Sequence, residues 1–172
     1  EVDAACRAGL GVRGRNGLLI HPVYGSWLFL GAIVTDLDME TRETEIRSCV
    51  GCGACQKACP SGCIGEAGPD PDHCLSAITQ KKGELTPEEI LLIRKGGLLW
   101  GCDRCQTVCP MNRGAEQTGL PEFRQDLILS LSERDCALSD RQFRKTYGSR
   151  AFSWRGVAPL RRNLALQEGK KE

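Results

Sequence analysis

Long hydrophobic stretches are missing from this sequence of 172 residues. The longest apolar run, Trp27 to Val34, is far shorter than the roughly 20 residues of a membrane-spanning helix, so we expect no membrane span. Aromatic residues are scarce and the formal net charge is only +1, which argues against nucleic-acid binding over the whole surface. The chain starts at Glu1 without an initiator methionine or a signal-peptide pattern, and we therefore expect a piece of a longer protein.

Cysteine, in contrast, is present in excess. The sequence has 11 cysteines, and an odd number cannot all pair as disulfides. Most of them fall in two short runs, as metal ligands do, whereas secreted disulfide-rich proteins spread their cysteines to staple loops. We therefore predict metal-bound thiolates in a reducing, cytoplasmic compartment.

The two cysteine runs have related spacings and the same ending. They are Cys49-x2-Cys52-x2-Cys55-x3-Cys59-Pro60 and Cys102-x2-Cys105-x3-Cys109-Pro110. In bacterial two-cluster ferredoxins, three cysteines of such a run bind one [4Fe–4S] cubane and the fourth binds the other. The second run lacks its leading cysteine, because Leu99 stands in that place. Cys74, between the runs, is the best candidate for the missing ligand.

With Cys74 the count closes at eight thiolates for two clusters. We assign one cluster to Cys49, Cys52, Cys55 and Cys109, and the other to Cys59, Cys74, Cys102 and Cys105. Cys63 is the competing candidate for the place of Cys74. Cys6 and Cys136 are expected to be small buried hydrophobic residues.

Zinc is the alternative metal, because paired Cys-x2-Cys motifs also build structural zinc sites with four thiolates. Zinc sites rarely need four cysteines within 11 residues, and the proline after each final cysteine matches the cluster motif. Gly51, Gly53 and Ala54 also suit a loop that wraps a cubane. We therefore favour iron–sulfur clusters.

Local signals predict strands before the first run and helices after it. Two apolar runs within residues 17–34, separated by a Pro/Gly turn, are typical of a pair of buried strands. The capping box Thr86 to Glu89, with proline at the first helical position, predicts a helix from about Pro87 to Lys95. The same pattern at Ser139 opens a helix that should end at Gly148.

A basic segment, residues 141–162, lies near the C-terminal end. It carries no acid, and its cations are Arg141, Arg144, Lys145, Arg150, Arg155, Arg161 and Arg162. The aromatic residues among them, Phe143, Tyr147, Phe152 and Trp154, suit the stacking of RNA bases beside bound phosphates. The alternative is a solvated helix face with a buried aromatic stripe.

Further short motifs run along nearly the whole chain. They are Ala8-Gly9-Leu10-Gly11, Gly14-Arg15-Asn16, Gly25-Ser26 with Phe29-Leu30-Gly31, Thr35-Asp36-Leu37, Asp72 to Thr79, Gly101-Cys102-Asp103 with Cys105-Gln106, and Arg162-Asn163-Leu164-Ala165. In their order and spacing the chain resembles the epoxyqueuosine reductases, the cobalamin and iron–sulfur enzymes of tRNA queuosine synthesis. The resemblance includes the lone cysteine before Ser76, which supports Cys74 as a cluster ligand.

The resemblance implies a two-electron reduction of the epoxide of epoxyqueuosine, at the wobble position of certain tRNAs, to queuosine. Electrons would come from an external donor and pass through two [4Fe–4S] clusters to a base-off cobalamin. The implied fold is α+β, with a two-cluster ferredoxin-like module joined to part of a cobalamin-binding α/β domain and a short helical C-terminal segment. We expect the cobalamin-binding remnant at 1–46, the ferredoxin-like domain at 47–115 and the basic helical segment at 116–172.

The same resemblance suggests roles for individual residues. By similarity, Leu19, Leu30, Ile33, Ser76 and Asp103 would line the cobalamin pocket. The tRNA would bind the basic segment, and the protein is expected to be a monomer. The proton-donating aspartate of the family is expected upstream of Glu1, since Asp3 lies too close to Ala8, so we assign no catalytic residue in this chain.

Two departures from the family pattern stand beside these matches. Val12 and Met111 occupy places where the family has tryptophan, and the helical repeats that extend many members past Arg162-Asn163-Leu164 are absent. We therefore expect a fragment or a short relative. The alternative functions are a ferredoxin-like electron carrier without its own substrate site and a corrinoid reductase with another substrate, although the basic segment argues against the latter.

Overall fold

The computed structural model describes residues 1–40 and 44–168. The described chain is built from short helices, two antiparallel pairs of very short strands and connecting loops. The α-helices are α1 (Val2–Arg7), α2 (Ala54–Ala58), α3 (Leu75–Gln80), α4 (Pro87–Gly96), α5 (Arg104–Thr107), α6 (Glu133–Ala137), α7 (Asp140–Tyr147) and α8 (Ala158–Glu168). The strands are β1 (Val12–Arg13), β2 (Leu19–Ile20), β3 (Ile64–Gly65) and β4 (Gly68–Pro69), and 3-10 turns form at Pro71–His73, Pro110–Asn112, Pro121–Phe123 and Ala151–Ser153.

The chain divides into two units. Unit 1 contains Glu1–Asp70 and Arg104–Gly119, and unit 2 contains Pro71–Asp103 and the chain from Leu120 onward. These units do not coincide with the consecutive segments 1–46, 47–115 and 116–172 predicted from the sequence. None of the helices in the described residues has the length and apolar character needed to cross a bilayer.

The first part of unit 1 is a small core beneath a strand pair. Strand β1 pairs with β2, with Val12 opposite Ile20 and Arg13 opposite Leu19. Helix α1 packs on both strands, and its Cys6, only 1% exposed, contacts a core that includes Leu19. Burial raises the pKa of the Cys6 thiol, so this cysteine is a protonated core residue, as the sequence predicted.

The predicted pair of buried strands within residues 17–34 is wrong. Only Leu19–Ile20 forms a strand there, and its partner lies earlier in the chain, at Val12–Arg13. The chain after β2 turns tightly, with reciprocal backbone hydrogen bonds between His21 and Gly25. Ile33 and Val34 are 94% and 98% exposed, so the second apolar run does not mark a buried strand.

The rest of unit 1 surrounds α2. This helix packs against α5 and against β3. Strand β3 forms a hairpin with β4, in which Ile64 lies opposite Pro69. Helix α2 contains Cys55 of the first cysteine run and α5 contains Cys105 of the second, so their packing holds these parts of the two runs within unit 1.

Unit 2 is built mainly from helices. Helices α3, α4 and α8 pack together around Leu75, Ile78 and Ile93, while α6 packs on α8 beside a second buried group. That second group consists of Cys136, Phe143, Val157 and Leu160. Cys136 is 2% exposed and burial raises the pKa of its thiol, which confirms the expected role as a small buried hydrophobic residue.

Both helices predicted from capping boxes are confirmed. Thr86 caps α4 by accepting from the N–H of Glu89, and Gly97 ends the helix in the left-handed conformation, at φ +67°. Ser139 caps α7 in the same way and the helix ends before Gly148.

Candidate functional site

Cys49 is held against the strand pair of unit 1. The N–H of Arg13 donates to the carbonyl of Arg47 at 2.7 Å, and the N–H of Cys49 donates to the carbonyl of Arg13 at 2.9 Å. Residues 47–49 thus lie beside β1 like a short extra strand. Since β1 is itself fixed by β2 and α1, the backbone of Cys49 has a defined position.

Two glycines shape the loop between Cys49 and Cys55. Gly51 and Gly53 have φ values of +66° and +72°, which strain any residue with a Cβ atom. Gly53 is also the residue before α2, so the left-handed turn directly places Cys55 in the first turn of that helix. Cys52, at the tip of the loop, is exposed.

Four cysteines are among the residues that line one pocket in unit 1. They are Cys49, Cys52, Cys55 and Cys109, and the empty space of the pocket, including the part open to solvent, is about 340 Å³. Burial raises the pKa of the Cys55 thiol, and the nearby Cys49 and Cys109 add to this effect. Four thiolates around one pocket form the donor set of a [4Fe–4S] cluster, so the residues present fit this group.

Arg15 lines the same pocket and is held in place by polar partners. Its Nη1 donates to Oε1 of Gln56 at 2.9 Å, and its Nη2 lies 3.1 Å from Oε2 of Glu66. Arg15 thus brings a cationic side chain, paired with Glu66, to the lining of the pocket. This role was not predicted from the sequence, although Arg15 belongs to the Gly14-Arg15-Asn16 motif.

The two runs end with the same backbone conformation. Cys59 follows α2 with φ −69° and ψ 117°, and Cys109 follows α5 with φ −70° and ψ 121°. A proline after each cysteine favours this extended region. The matching geometry explains why the Cys-Pro ending recurs in both runs.

Hydrogen-bond partners surround the sulfur of Cys59. Its Sγ lies 3.5 Å from Oγ of Ser61 and 3.5 Å from Sγ of Cys63. Burial alone would raise the pKa of Cys59, but hydrogen bonds from Ser61 and Cys63 outweigh it and lower the pKa. The loop therefore favours a thiolate at Cys59.

Cys74 and Cys102 lie in unit 2, and both are fixed to α3. Cys74 directly precedes this helix and its carbonyl accepts from the N–H of Ile78 at 2.9 Å. Cys102 packs against the core that includes Leu75. The N–H of Gly101 donates to Oγ1 of Thr79 at 3.0 Å, which ties the loop of Cys102 to the same helix.

The five residues predicted to contact cobalamin lie in different settings. Leu19 is 2% exposed in the core of unit 1, Leu30 packs against that core, and Ile33 is almost wholly exposed. Ser76 lies in α3 of unit 2, where its carbonyl accepts from Oγ1 of Thr79, and Asp103 follows Cys102. Their role toward cobalamin stays a prediction.

The basic segment does not present all its cations to solvent. Arg161 donates to the carbonyls of Cys136 and Leu138, and Arg162 donates to those of Lys81 and Gly83. Burial lowers the pKa of Arg162. These two arginines therefore hold the helices of unit 2 together.

Three further exposed cations of the segment lie on α7. Arg141, Arg144 and Lys145 line an open groove together with Asp140. The groove thus combines three positive charges with one carboxylate.

Three of the four aromatic residues of the segment are structural. The rings of Phe143, Tyr147 and Phe152 lie with centroids 5.1 to 6.2 Å apart, and Phe143 is 1% exposed. The buried aromatic stripe is thus the correct interpretation for these three. Trp154 is 61% exposed, and the guanidinium of Arg155 lies 3.8 Å from its ring centroid.

Two family models match the chain where the cysteines lie. Residues 48–112 match a 4Fe-4S double cluster binding domain, and residues 18–63 match a 4Fe-4S dicluster domain. The first match includes every cysteine of the eight-thiolate assignment. Together with the mixture of helices and short strands, these matches identify the fold as an α+β protein of the ferredoxin-like 4Fe-4S type.

Relatives and solved structures match nearly the whole chain. The epoxyqueuosine reductase of Listeria monocytogenes is 42% identical over 171 residues, covering 96% of this chain and 44% of that protein. The Lactococcus garvieae enzyme is 38% identical, covering 98% of this chain and 48% of that protein. A crystal structure of epoxyqueuosine reductase with a tRNA-Tyr epoxyqueuosine-modified stem loop has a TM-score of 0.85 at 35% identity, covering 96% of this chain and 44% of that one.

This chain therefore spans less than half the length of these two epoxyqueuosine reductases. Within that span the similarity of sequence and structure is continuous and includes both cysteine runs. Over nearly its whole length, the chain is similar in sequence and structure to epoxyqueuosine reductases.

Proposed function

We propose that this chain is the iron–sulfur part of an enzyme that reduces epoxyqueuosine to queuosine in tRNA. The observation that carries the proposal is the convergence of Cys49, Cys52, Cys55 and Cys109 on one pocket, in a chain similar to epoxyqueuosine reductases. The overall reaction consumes two electrons and two protons, breaks both carbon–oxygen bonds of the epoxide and releases water with the alkene. When bound, the clusters would supply single electrons and cobalamin would supply the two-electron chemistry.

The residues of unit 1 would bind and tune the first cluster. Cys49, Cys52, Cys55 and Cys109 are its proposed ligands, and the left-handed glycines of the loop set the position of Cys55. Arg15 would offset the negative charge of the thiolates, and Gln56 and Glu66 keep its guanidinium in place.

For the second cluster we keep the ligand set read from the sequence. Its members are Cys59, Cys74, Cys102 and Cys105. The lowered pKa of Cys59 favours the thiolate form that binds iron, and hydrogen bonds to α3 fix the backbone near Cys74 and Cys102. Both features support these three residues as ligands. All four lie within the region that matches a double cluster binding domain.

The cobalamin and tRNA parts of the proposal rest on the family. Leu19, Leu30, Ile33, Ser76 and Asp103 are the proposed cobalamin residues, and the exposure of Ile33 leaves its side chain accessible to a large ligand. The groove on α7, formed by Arg141, Arg144 and Lys145, supports RNA binding through phosphates. A relative has been solved with an epoxyqueuosine-modified tRNA stem loop.

The test is a conversion assay on the anaerobically purified full-length protein of which this chain is the proposed iron–sulfur part. Iron and sulfide are quantified, and the protein is incubated with cobalamin, a low-potential reductant and an epoxyqueuosine-containing stem loop. Nucleosides are then analysed by mass spectrometry, and we expect a product that has lost one oxygen atom. Cys55→Ala should abolish conversion, whereas Cys6→Ala, a buried cysteine outside the pocket, should retain it.

Two results would overturn the proposal. Clusters that accept electrons without any conversion of the stem loop would identify a ferredoxin-like electron carrier. A colourless protein loaded with zinc would exclude iron–sulfur chemistry altogether.

A further inference from the structure

The loop after the first cysteine run contains a thiol outside the eight proposed cluster ligands. Cys63 lies in unit 1, is 9% exposed, and has its Sγ 3.5 Å from Sγ of Cys59. Oγ of Ser61 lies at the same distance from that sulfur. Two hydrogen-bearing side chains therefore meet one proposed ligand atom.

The backbone explains why both side chains reach the same sulfur. Gly62, between them, has a φ of +65°, and its N–H donates to the carbonyl of Cys59 at 3.2 Å. The chain after the turn is held by Asp70, whose N–H donates to the carbonyl of Cys63 at 2.8 Å. Gln56 also donates to the carbonyl of Ile64 at 3.2 Å, so α2 and the loop are tied together.

The direction of these hydrogen bonds follows from chemistry. A cysteine that binds iron is a thiolate, so its sulfur carries no hydrogen and can only accept. The hydroxyl of Ser61 and the thiol of Cys63 each carry one hydrogen and are then the donors. This direction rests on the proposed iron–sulfur function, because it requires Cys59 to bind a cluster.

We propose that Ser61 and Cys63 are positioning residues that raise the reduction potential of the cluster bound through Cys59, and that Cys63 is a hydrogen-bond donor rather than a ligand. Reduction adds one negative charge to a cluster and its sulfur ligands. Donors directed at a ligand sulfur stabilise that added charge, so they favour the reduced state. The cluster that Cys59 serves should therefore accept electrons more readily than it would without the two donors.

The experiment is a redox titration of the cluster-loaded protein, followed by electron paramagnetic resonance. Cys63→Ala and Ser61→Ala each remove one donor, whereas Cys63→Ser keeps a donor at the same place. Cys6→Ala deletes another buried thiol of unit 1 and serves as the matched control. Iron is counted in every variant before the titration.

We expect every variant to keep the wild-type iron content. The midpoint potential of one cluster should fall in Cys63→Ala and in Ser61→Ala, while that of the other cluster stays unchanged. Cys63→Ser should lie closer to wild type than Cys63→Ala, and Cys6→Ala should match wild type.

The results that would contradict the inference can be told apart from those that would contradict the proposed function. Loss of one cluster in Cys63→Ala, with full loading in Ser61→Ala, would make Cys63 a ligand and overturn the inference. Unchanged potentials in fully loaded Cys63→Ala and Ser61→Ala would overturn it as well, while leaving the proposed function intact. A wild-type protein that binds no cluster would overturn both. If Cys63→Ala does not fold, the midpoint potential of Ser61→Ala tests the inference: a value below that of the wild type supports it, and an unchanged value overturns it.

Discussion

Ser26 and Asn112 are joined by two reciprocal hydrogen bonds. The backbone N–H of Ser26 donates to Oδ1 of Asn112, and Nδ2 of Asn112 donates to Oγ of Ser26, both at 2.8 Å. Gln106 completes the network, because its carbonyl accepts from Nδ2 of Asn112 and its Oε1 accepts from Oγ of Ser26. The network fixes the end of the second cysteine run to the turn that follows β2.

Removing the amide of Asn112 should therefore loosen the second run. Asn112→Ala leaves the backbone N–H of Ser26 and the carbonyl of Gln106 without these partners, and we expect a loss of about 2 kcal/mol in the free energy of unfolding. Urea denaturation measures this loss, and the decay of cluster absorbance in air measures how firmly Cys109 is held. Lys57→Ala, an exposed change on α2, is the control and should alter neither quantity. Equal stability of the two variants would show that the network is dispensable.

Asn163 plays a comparable role in unit 2. It is fully buried, and its Nδ2 donates to the carbonyls of Thr79 and Leu99 at 2.8 and 2.9 Å. Its Oδ1 accepts from Nε and Nη2 of Arg162. The Arg-Asn pair of the C-terminal motif thus joins α8 to the end of α3 and to the segment before Cys102.

Asn163→Ala should be among the most destabilising single changes in unit 2. It leaves two buried carbonyl groups unpaired and removes a partner of Arg162, so we expect a loss of about 3 kcal/mol. The measurement is urea denaturation with Lys95→Ala as an exposed control on α4. A loss below about 1 kcal/mol would mean that water or neighbouring groups replace the amide.

Elements with local signals could be predicted from the sequence. The helices α4 and α7 were found because a capping box and a following glycine lie within a few residues of each other. Helix α6 carries the same kind of signal, since Ser132 accepts from the N–H of Asp135, although this helix was not predicted from the sequence. Helix α8 lies in the predicted helical C-terminal segment, but its bounds were not predicted because it is held by non-local bonds such as those of Asn163.

Non-local pairing explains the errors. Residues 27–34 are apolar enough for a strand, yet whether such a run is buried depends on distant segments, and Ile33 and Val34 are exposed here. The cysteines were predicted to be cluster ligands because the spacing within each run is local, whereas Arg15 lines the first pocket from another part of the chain. Charge alone also does not show that Arg161 and Arg162 bind backbone carbonyls, and their role toward RNA stays a prediction.

Replacement of Cys74 tests the assignment of eight thiolates to two clusters. Cys74→Ala removes one proposed ligand of the second cluster, and we expect the iron content to fall from about eight to about four atoms per chain. Chemical iron analysis after anaerobic purification measures the change. Cys136→Ala removes a buried cysteine of the same unit that is assigned to neither cluster, and it should keep the full iron content. An undiminished iron content in Cys74→Ala would exclude Cys74 as an essential ligand and would favour Cys63 as the competing candidate.

The groove on α7 gives the final prediction, on RNA binding. Replacing Arg141, Arg144 and Lys145 together with alanine should weaken binding of a tyrosine tRNA stem loop and flatten its salt dependence. For each phosphate that the variant no longer binds, the slope of log affinity against log salt should decrease by roughly 0.7 to 0.9. Filter binding or fluorescence anisotropy at several salt concentrations measures both effects.

The matched control removes the same charge from other elements of unit 2. Lys82, Lys95 and Arg134 are exposed, and their joint replacement with alanine also removes three positive charges. If the groove binds phosphates directly, the α7 variant must lose more affinity and more salt dependence than this control. Equal losses would mean that only the net charge matters, since long-range attraction does not depend on which cations are removed. Arg161→Ala and Arg162→Ala, by contrast, should lower the stability of unit 2, because those side chains bind backbone carbonyls.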